Sequence, residues 1–327
     1  MYILGMGHCH PTNVITNQFL KDLDIGSDPD WIVAKIGIRE RRSVLPLDYI
    51  VETKNADPRK AEAVMEHTAA DMGVIAAQRA LENAGIKPEQ VGLILTNSSV
   101  PTQTLPPMGM EIAERLELGH KKVYDATSAC PAFALHLHHL FAFEQDNLPE
   151  YILCIATAAV SQRVDYTNRS DSAIWGDGAA AYVVSPRQKG KVEILSTVFE
   201  ADPSRCHAVV VDTYGHFHQD GRAVRDFSVR QTVRLIKRIE KEFDIDWSND
   251  LFIGHQANGT MLEQIRNNRK IPNENHLSNV EFIGNQAGAG APAVMSTNWD
   301  ALGADRHAVV AVVGAGLSWG SVLFRIH

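Results

Sequence analysis

The chain is poor in cysteine, in aromatic side chains and in long apolar runs. Cys9, Cys130, Cys154 and Cys206 are its only four cysteines in 327 residues, and no two form a CxxC pair. That scatter argues against a disulfide framework and sets the expectation of a reducing, cytoplasmic setting. No stretch approaches the ~18 consecutive apolar residues of a membrane-spanning helix. The opening residues, MYILGMGHCHPTNV, lack the basic start and long apolar run of a signal peptide and read as a strand. Positive charge is also short: 31 Lys and Arg against 39 Asp and Glu leave a net charge of −8. That balance argues against general nucleic-acid binding, and an acidic partner would need a local basic patch.

Apolar residues make up 45% of the chain, enough for a large core. Their pattern alternates between helical and strand spacing. A helix is expected over 64–86, a buried strand over 91–96, a helix near 107–117 and a strand over 122–127. A helix opening near Cys130 and a strand over 151–158 follow, then a turn into a strand over 176–184. The order then returns: helix 225–243, strand 250–254, helix 260–268, strand 280–284, helix 289–301, and strands 307–314 and 320–326. Leu93 matches Leu251, Tyr124 matches Phe282 and Ile152 matches Val309, at an offset of 157–158. Such alternation predicts an α/β fold built from two similar halves, 1–186 and 187–327.

Ligands of open α/β sheets gather beyond the carboxyl ends of the strands. Cys130 follows such an end in the first half. His255, after DLFIG, and Asn285, after VEFIG, do so in the second. The duplication predicts that the three converge. A Cys/His/Asn set suits acyl-thioester chemistry, because a thiolate is the nucleophile and a helix start lowers a thiol pKa. N–H groups of His255 and Asn285 suit a thioester carbonyl or the enolate left when a malonyl group loses CO2. The glycine-rich turn GAGLSWG (314–320) suits a second oxyanion hole. Each residue also has a plainer reading, Cys130 as a small buried side chain among them. Cys154, mid-strand in an apolar run, reads as core. His8 and His10 share a strand face without a third ligand, so no metal site is expected. His136 and His139 fall on one side of the helix after Cys130 and His138 on another, which suits packing or interface roles. The His216–His218 segment is left without a role.

Six stretches together carry a resemblance: DPDWIVAKIGIRERR (28–42), ATSACPAF (126–133), WGDGAAAYVV (175–184), GHQAN (254–258), GNQAGAGAP (284–292) and GAGLSWGSVLFRI (314–326). Over nearly its whole length the chain resembles the β-ketoacyl-ACP synthase III family of the thiolase superfamily. The resemblance implies a five-layered αβαβα sandwich and a homodimer. It implies Cys130 as acyl-accepting nucleophile, His255 and Asn285 as decarboxylation and oxyanion residues, and an oxyanion hole from backbone at Cys130, Gly314, Ala315 and Gly316. Trp31, Leu105 and Asn258 are implied to bind substrate, Trp31 beside the CoA adenine and Leu105 reaching the partner's acyl pocket. It implies CoA or phosphopantetheine thioesters as substrates, with no resident cofactor. An acyl-carrier protein is an implied partner, and Arg230, Arg234 and Arg238 on the basic helix 225–243 offer it a dock; the plain alternative is a solvated helix face.

Four departures from the family pattern point to a specialised, secondary-metabolic member. Thr260 stands where an arginine is usual, Pro131 follows the cysteine, the segment HFHQDGRAV (216–224) is unusually rich in histidine, and Leu105 replaces a frequent Phe. The expected reaction is acyl transfer to Cys130 and decarboxylative condensation with a malonyl thioester. The alternatives are transfer to an alcohol or amine with His255 as general base, or an inactive structural subunit.

Overall fold

The computed structural model describes all 327 residues, Met1–His327. Nine strands form one sheet: β1 (Tyr2–Cys9), β2 (Val91–Ser98), β3 (Lys122–Asp125), β4 (Tyr151–Ala158), β5 (Gly178–Ser185), β6 (Val192–Ala201), β7 (Leu251–Gly254), β8 (Arg306–Gly314) and β9 (Ser318–Ile326). Their spatial order is β3-β2-β4-β5-β1 and then β6-β9-β8-β7. β2 runs parallel to β3 and β4, and β7 parallel to β8, while β5, β1, β6 and β9 pair antiparallel. The two sets meet at only two residue pairs, Tyr2–Glu193 and Ile3–Val192.

Period-two alternation assigns each strand's two faces to different cores. Leu95, Ile152 and Cys154 face one core while Ile94, Leu153 and Ile155 face another. The helices α1 (Pro29–Ile36), α2 (Ala69–Ala84), α3 (Met108–Arg115), α4 (Ala132–Ala142), α5 (Gly221–Glu242), α6 (Gly259–Arg269), α7 (Val280–Ile283) and α8 (Gly290–Thr297) complete the frame. Between the two strand sets lie α4 and α8, whose Phe133, Leu137, Val294 and Met295 share a core with both. Outside the first set, α2 and α3 bury Met72, Ala76 and Ile112. Outside the second, α5 and α6 bury Ile236, Met261 and Ile265 against Phe252 and Ala311. Five layers result.

Several expected bounds move. The helix expected over 64–86 begins at Ala69, because Thr68 and Asp71 form a capping box. The one expected over 225–243 begins at Gly221, capped by the Asp220 carboxylate on the Ala223 N–H. The segment 280–284 is no strand: its residues form the short helix α7, and Phe282 is half-exposed. The edge position that would mirror β3 is held only by a bridge between Phe252 and His276.

Candidate active site

Cys130 stands in the loop between β3 and α4. Its backbone is fixed from several sides: Ala126 N–H donates to Thr96 O at 2.8 Å and Ser128 N–H to Asn97 Oδ1 at 3.2 Å. Ala129 takes φ +53°, a left-handed conformation rare for a residue with a Cβ, and turns the chain sharply before Cys130. Pro131 then caps α4 with φ −82° and no side-chain bond, where a missing N–H leaves no acceptor unpaired. The turn after β8 comes so close that a Cβ on Gly314 would lie 2.6 Å from Cys130 Cβ and from Pro131 Cδ. Only glycine fits there.

His255 follows β7 directly. The next residue, Gln256, is fully buried and fully bonded: Nε2 donates to Gly254 O at 2.8 Å, and Oε1 accepts from Ser278 Oγ at 2.8 Å and Asn279 N at 3.0 Å. It ties the loop of His255 to the segment leading into Asn285. Asn285 follows α7 and Gly284 rather than a strand. Its N–H donates to Ile174 O at 2.9 Å and its carbonyl accepts from Gly176 N–H at 3.1 Å. Its Oδ1 accepts from Ala287 N–H at 2.9 Å, which fixes the amide orientation and leaves Nδ2 as the end free to donate.

Cys130, His255 and Asn285 line one cavity of about 140 Å³ together with Gly314 and Ala315. Gly316 is not on its wall; it takes φ +122° in the turn before β9. Asn258 lines the cavity too, with its Oδ1 engaged by Met261 N–H at 2.9 Å as the cap of α6. The rest of the wall includes Trp175 and Phe217, edge-on at 4.6 Å, with Val209, Val224, Arg225 and Ser228. Arg225 and Ser228 fall within the helix already expected over 225–243, Arg225 as one of the cations of its basic excess; the sequence assigned no role to the other five.

Burial sets the protonation states. It pushes the Cys130 thiol up to about 11, while the nearby backbone of Ala315 and Cys130 pulls it back less. The lowered thiol expected from a helix start is therefore not found, because desolvation outweighs the helix end. Burial pushes His255 down to about 4, so the imidazole is neutral at pH 7, and its Nδ1 has no protein partner. The site offers a thiol, a neutral imidazole, a free amide and the backbone of Gly314 and Ala315 on one wall.

Two family models match the chain. One, described as 3-oxoacyl-[acyl-carrier-protein (ACP)] synthase III, covers residues 124–203; its C-terminal counterpart covers 242–326. A β-ketoacyl-[acyl-carrier-protein] synthase III of Oceanobacillus iheyensis is 30% identical over 99% of this chain and 98% of its own. The chain belongs to this family. A crystal structure of the synthase III from Aquifex aeolicus shares 27% identity and a TM-score of 0.87, with 99% of each chain covered. The priming β-ketosynthase of the R1128 polyketide pathway shares the fold at 23% identity and a TM-score of 0.85, over 99% of this chain and 96% of that one. The fold is thiolase-like, and the protein is an acyltransferase of the condensing type.

Other synthase III positions lie outside the cavity. Trp31, on α1, carries the Arg169 guanidinium over its ring at 5.0 Å. Leu105 is 77% exposed on the loop after β2. Thr260 Oγ1 bonds Lys35 O at 2.9 Å and Asn258 Oδ1 at 2.8 Å, joining α6 to α1. Arg230, Arg234 and Arg238 are exposed on α5; Arg238 contacts Glu200 and Glu242, and Arg234 contacts Gln231. The histidines near Cys130 are held by neighbours: His136 by Tyr182 OH at 3.0 Å and Ala126 O at 3.1 Å, His138 by Thr197, His139 by Tyr124. His8 pairs with Ser296, His10 with Gln286, and His216 with Asn55 O.

Proposed function

We propose that Cys130 takes an acyl group from acyl-CoA or an acyl-carrier protein and that the acyl-enzyme condenses with a malonyl thioester. The observation that carries this reading is the meeting of Cys130, His255 and Asn285 in one cavity, with Gly314 and Ala315 on the same wall. In the first step the sulfur attacks the thioester carbonyl; the N–H groups of Cys130 and Ala315 hold the oxyanion and the donor thiol leaves. In the second, the malonyl group loses CO2, and His255 and the Asn285 amide hold the enolate oxygen. The enolate carbon attacks the acyl-enzyme, giving a β-ketoacyl thioester and freeing Cys130. Transfer to an alcohol or amine is less well supported. It needs His255 as base, and an imidazole held near pKa 4 is a poor base but a good donor at pH 7.

The reading extends to the assembly. β3 is an open sheet edge, with Tyr124 36%, Phe141 38% and Phe143 45% exposed, a surface suited to a second copy in a homodimer. Leu105 then serves the partner's pocket. Trp31 and Asn258 bind the thioester's carrier arm, and Arg230, Arg234 and Arg238 dock an acidic carrier protein. The halves 1–186 and 187–327 act as one unit around the shared cavity. Four free cysteines suit a reducing, cytoplasmic compartment, and Thr260, Pro131 and Leu105 suit a specialised family member.

Intact-mass analysis after exposure to a panel of acyl-CoAs tests the first step. Wild type gains one acyl group and Cys130→Ala none; an undiminished adduct on the variant sinks the assignment. CO2 release from malonyl thioester tests the second, with His255→Ala and Asn285→Ala each expected to cost about 10²–10³-fold.

A further inference from the structure

α5 turns one stripe to the cavity: Gly221, Val224, Arg225 and Ser228, spaced i, i+3, i+4 and i+7. Arg225 is the only charged side chain on the cavity wall, His255 being neutral. It makes no ion pair, although Asp220 and Asp226 are close in sequence; the Asp220 carboxylate is engaged by the Ala223 N–H at 3.1 Å. Arg225 itself is exposed, so it sits at the rim while its neighbours lead inward. Ser228, three residues on, is 6% exposed and lines the cavity. Gly221 opens the 22-residue helix on the same wall, and the start of that helix is already capped by the Asp220 carboxylate. A lone cation without an ion-pair partner thus stands at the opening, with the Ser228 hydroxyl one turn further along the same stripe.

We infer that this α5 stripe is an anion clamp, and that Arg225 holds the phosphate of the substrate's phosphopantetheine arm as the thioester reaches Cys130. The inference rests on the thioester reading above. Two anions enter such a site, the arm's phosphate and a malonyl carboxylate. The carboxylate must lose its charge as CO2, so a cation holding that charge opposes the step. The phosphate keeps its charge throughout, and a rim arginine matches it in a bidentate pair.

The test compares acylation of Cys130 by acetyl-4′-phosphopantetheine with acylation by acetyl-pantetheine, which has the same arm without phosphate. The ratio of their second-order rate constants, phosphopantetheine over pantetheine, is expected to fall about tenfold in Arg225→Ala, as for a lost charged hydrogen bond. Arg225→Lys restores part of it, and rising salt lowers the ratio in wild type more than in Arg225→Ala. An unchanged ratio in Arg225→Ala overturns the inference, whether both rates fall together or neither moves. A loss confined to malonyl-pantetheine, relative to acetyl-pantetheine, overturns it in favour of the carboxylate. Acylation of wild type by acetyl-pantetheine reports on Cys130 without the phosphate, so failure of the thioester reading is seen separately.

Discussion

At the scale of single residues, the opposed titrations of Cys130 and His255 decide how the site reacts. Both are shifted by the same cause, loss of water, and each shift favours the neutral form. A neutral pair avoids two buried charges in the resting enzyme. The thiolate is then scarce at neutral pH. For a small uncharged alkylating agent such as iodoacetamide, the rate at Cys130 should rise about tenfold per pH unit from 7 to 9, because only the thiolate reacts. Peptide mass mapping of Cys130 over that range checks it. A plateau by pH 8 means that the helix end and the nearby backbone of Ala315 outweigh burial. That the three residues meet at one cavity was legible in the sequence, because each follows an element or motif end, although the element before Asn285 is a helix and not the expected strand. The direction of the thiol shift was not, since the sequence shows a helix start but not the depth at which it is buried.

The elements explain why that thiol sits where it does. α4 starts against the turn after β8, and the two backbones approach closely because residue 314 has no side chain. Gly314→Ala places a Cβ 2.6 Å from both Cys130 Cβ and Pro131 Cδ, so the turn or the helix start must move. Overpacking of this kind costs about 1–3 kcal/mol. The variant should unfold at lower urea and acylate Cys130 more slowly, since the backbone of Ala315 shifts away from Cys130. Wild-type acylation together with wild-type stability refutes that coupling. Strand and helix order was largely readable from periodicity, and failed where elements are short. VEFI offers alternation over four residues, too few to separate strand from helical turn. The true edge contact is made by His276 instead, on a segment with no apolar run. The start of α5 was misplaced for another reason: its first turn, Gly221–Val224, has little apolar content, and only the capping aspartate marks it.

For the whole molecule, the same burial that tunes the site makes the fold sensitive to acid. His10, His136, His255 and His276 are each pushed from 6.5 to about 4 by loss of water, from four different parts of the chain. His136 is pinned between Tyr182 and Ala126, His10 bonds Gln286, and His276 stacks on Phe252 at 5.5 Å. Between pH 6.5 and 4 the unfolded chain binds protons that these folded histidines refuse. Stability therefore rises with pH through that window and is lost as pH falls. Asp177 acts the other way, because burial raises its carboxyl from 3.8 to about 6 and the folded chain keeps a proton the unfolded one releases. One such group offsets one histidine of the four, leaving a net uptake of about two to three protons on unfolding near pH 5. Urea unfolding at pH 7, 6 and 5 should give a midpoint that falls steadily, with little change between pH 7 and 8. A midpoint constant from pH 7 to 5 shows that these imidazoles are protonated in the fold. In that case His255 carries a charge at the cavity, and its role as a neutral donor falls with it.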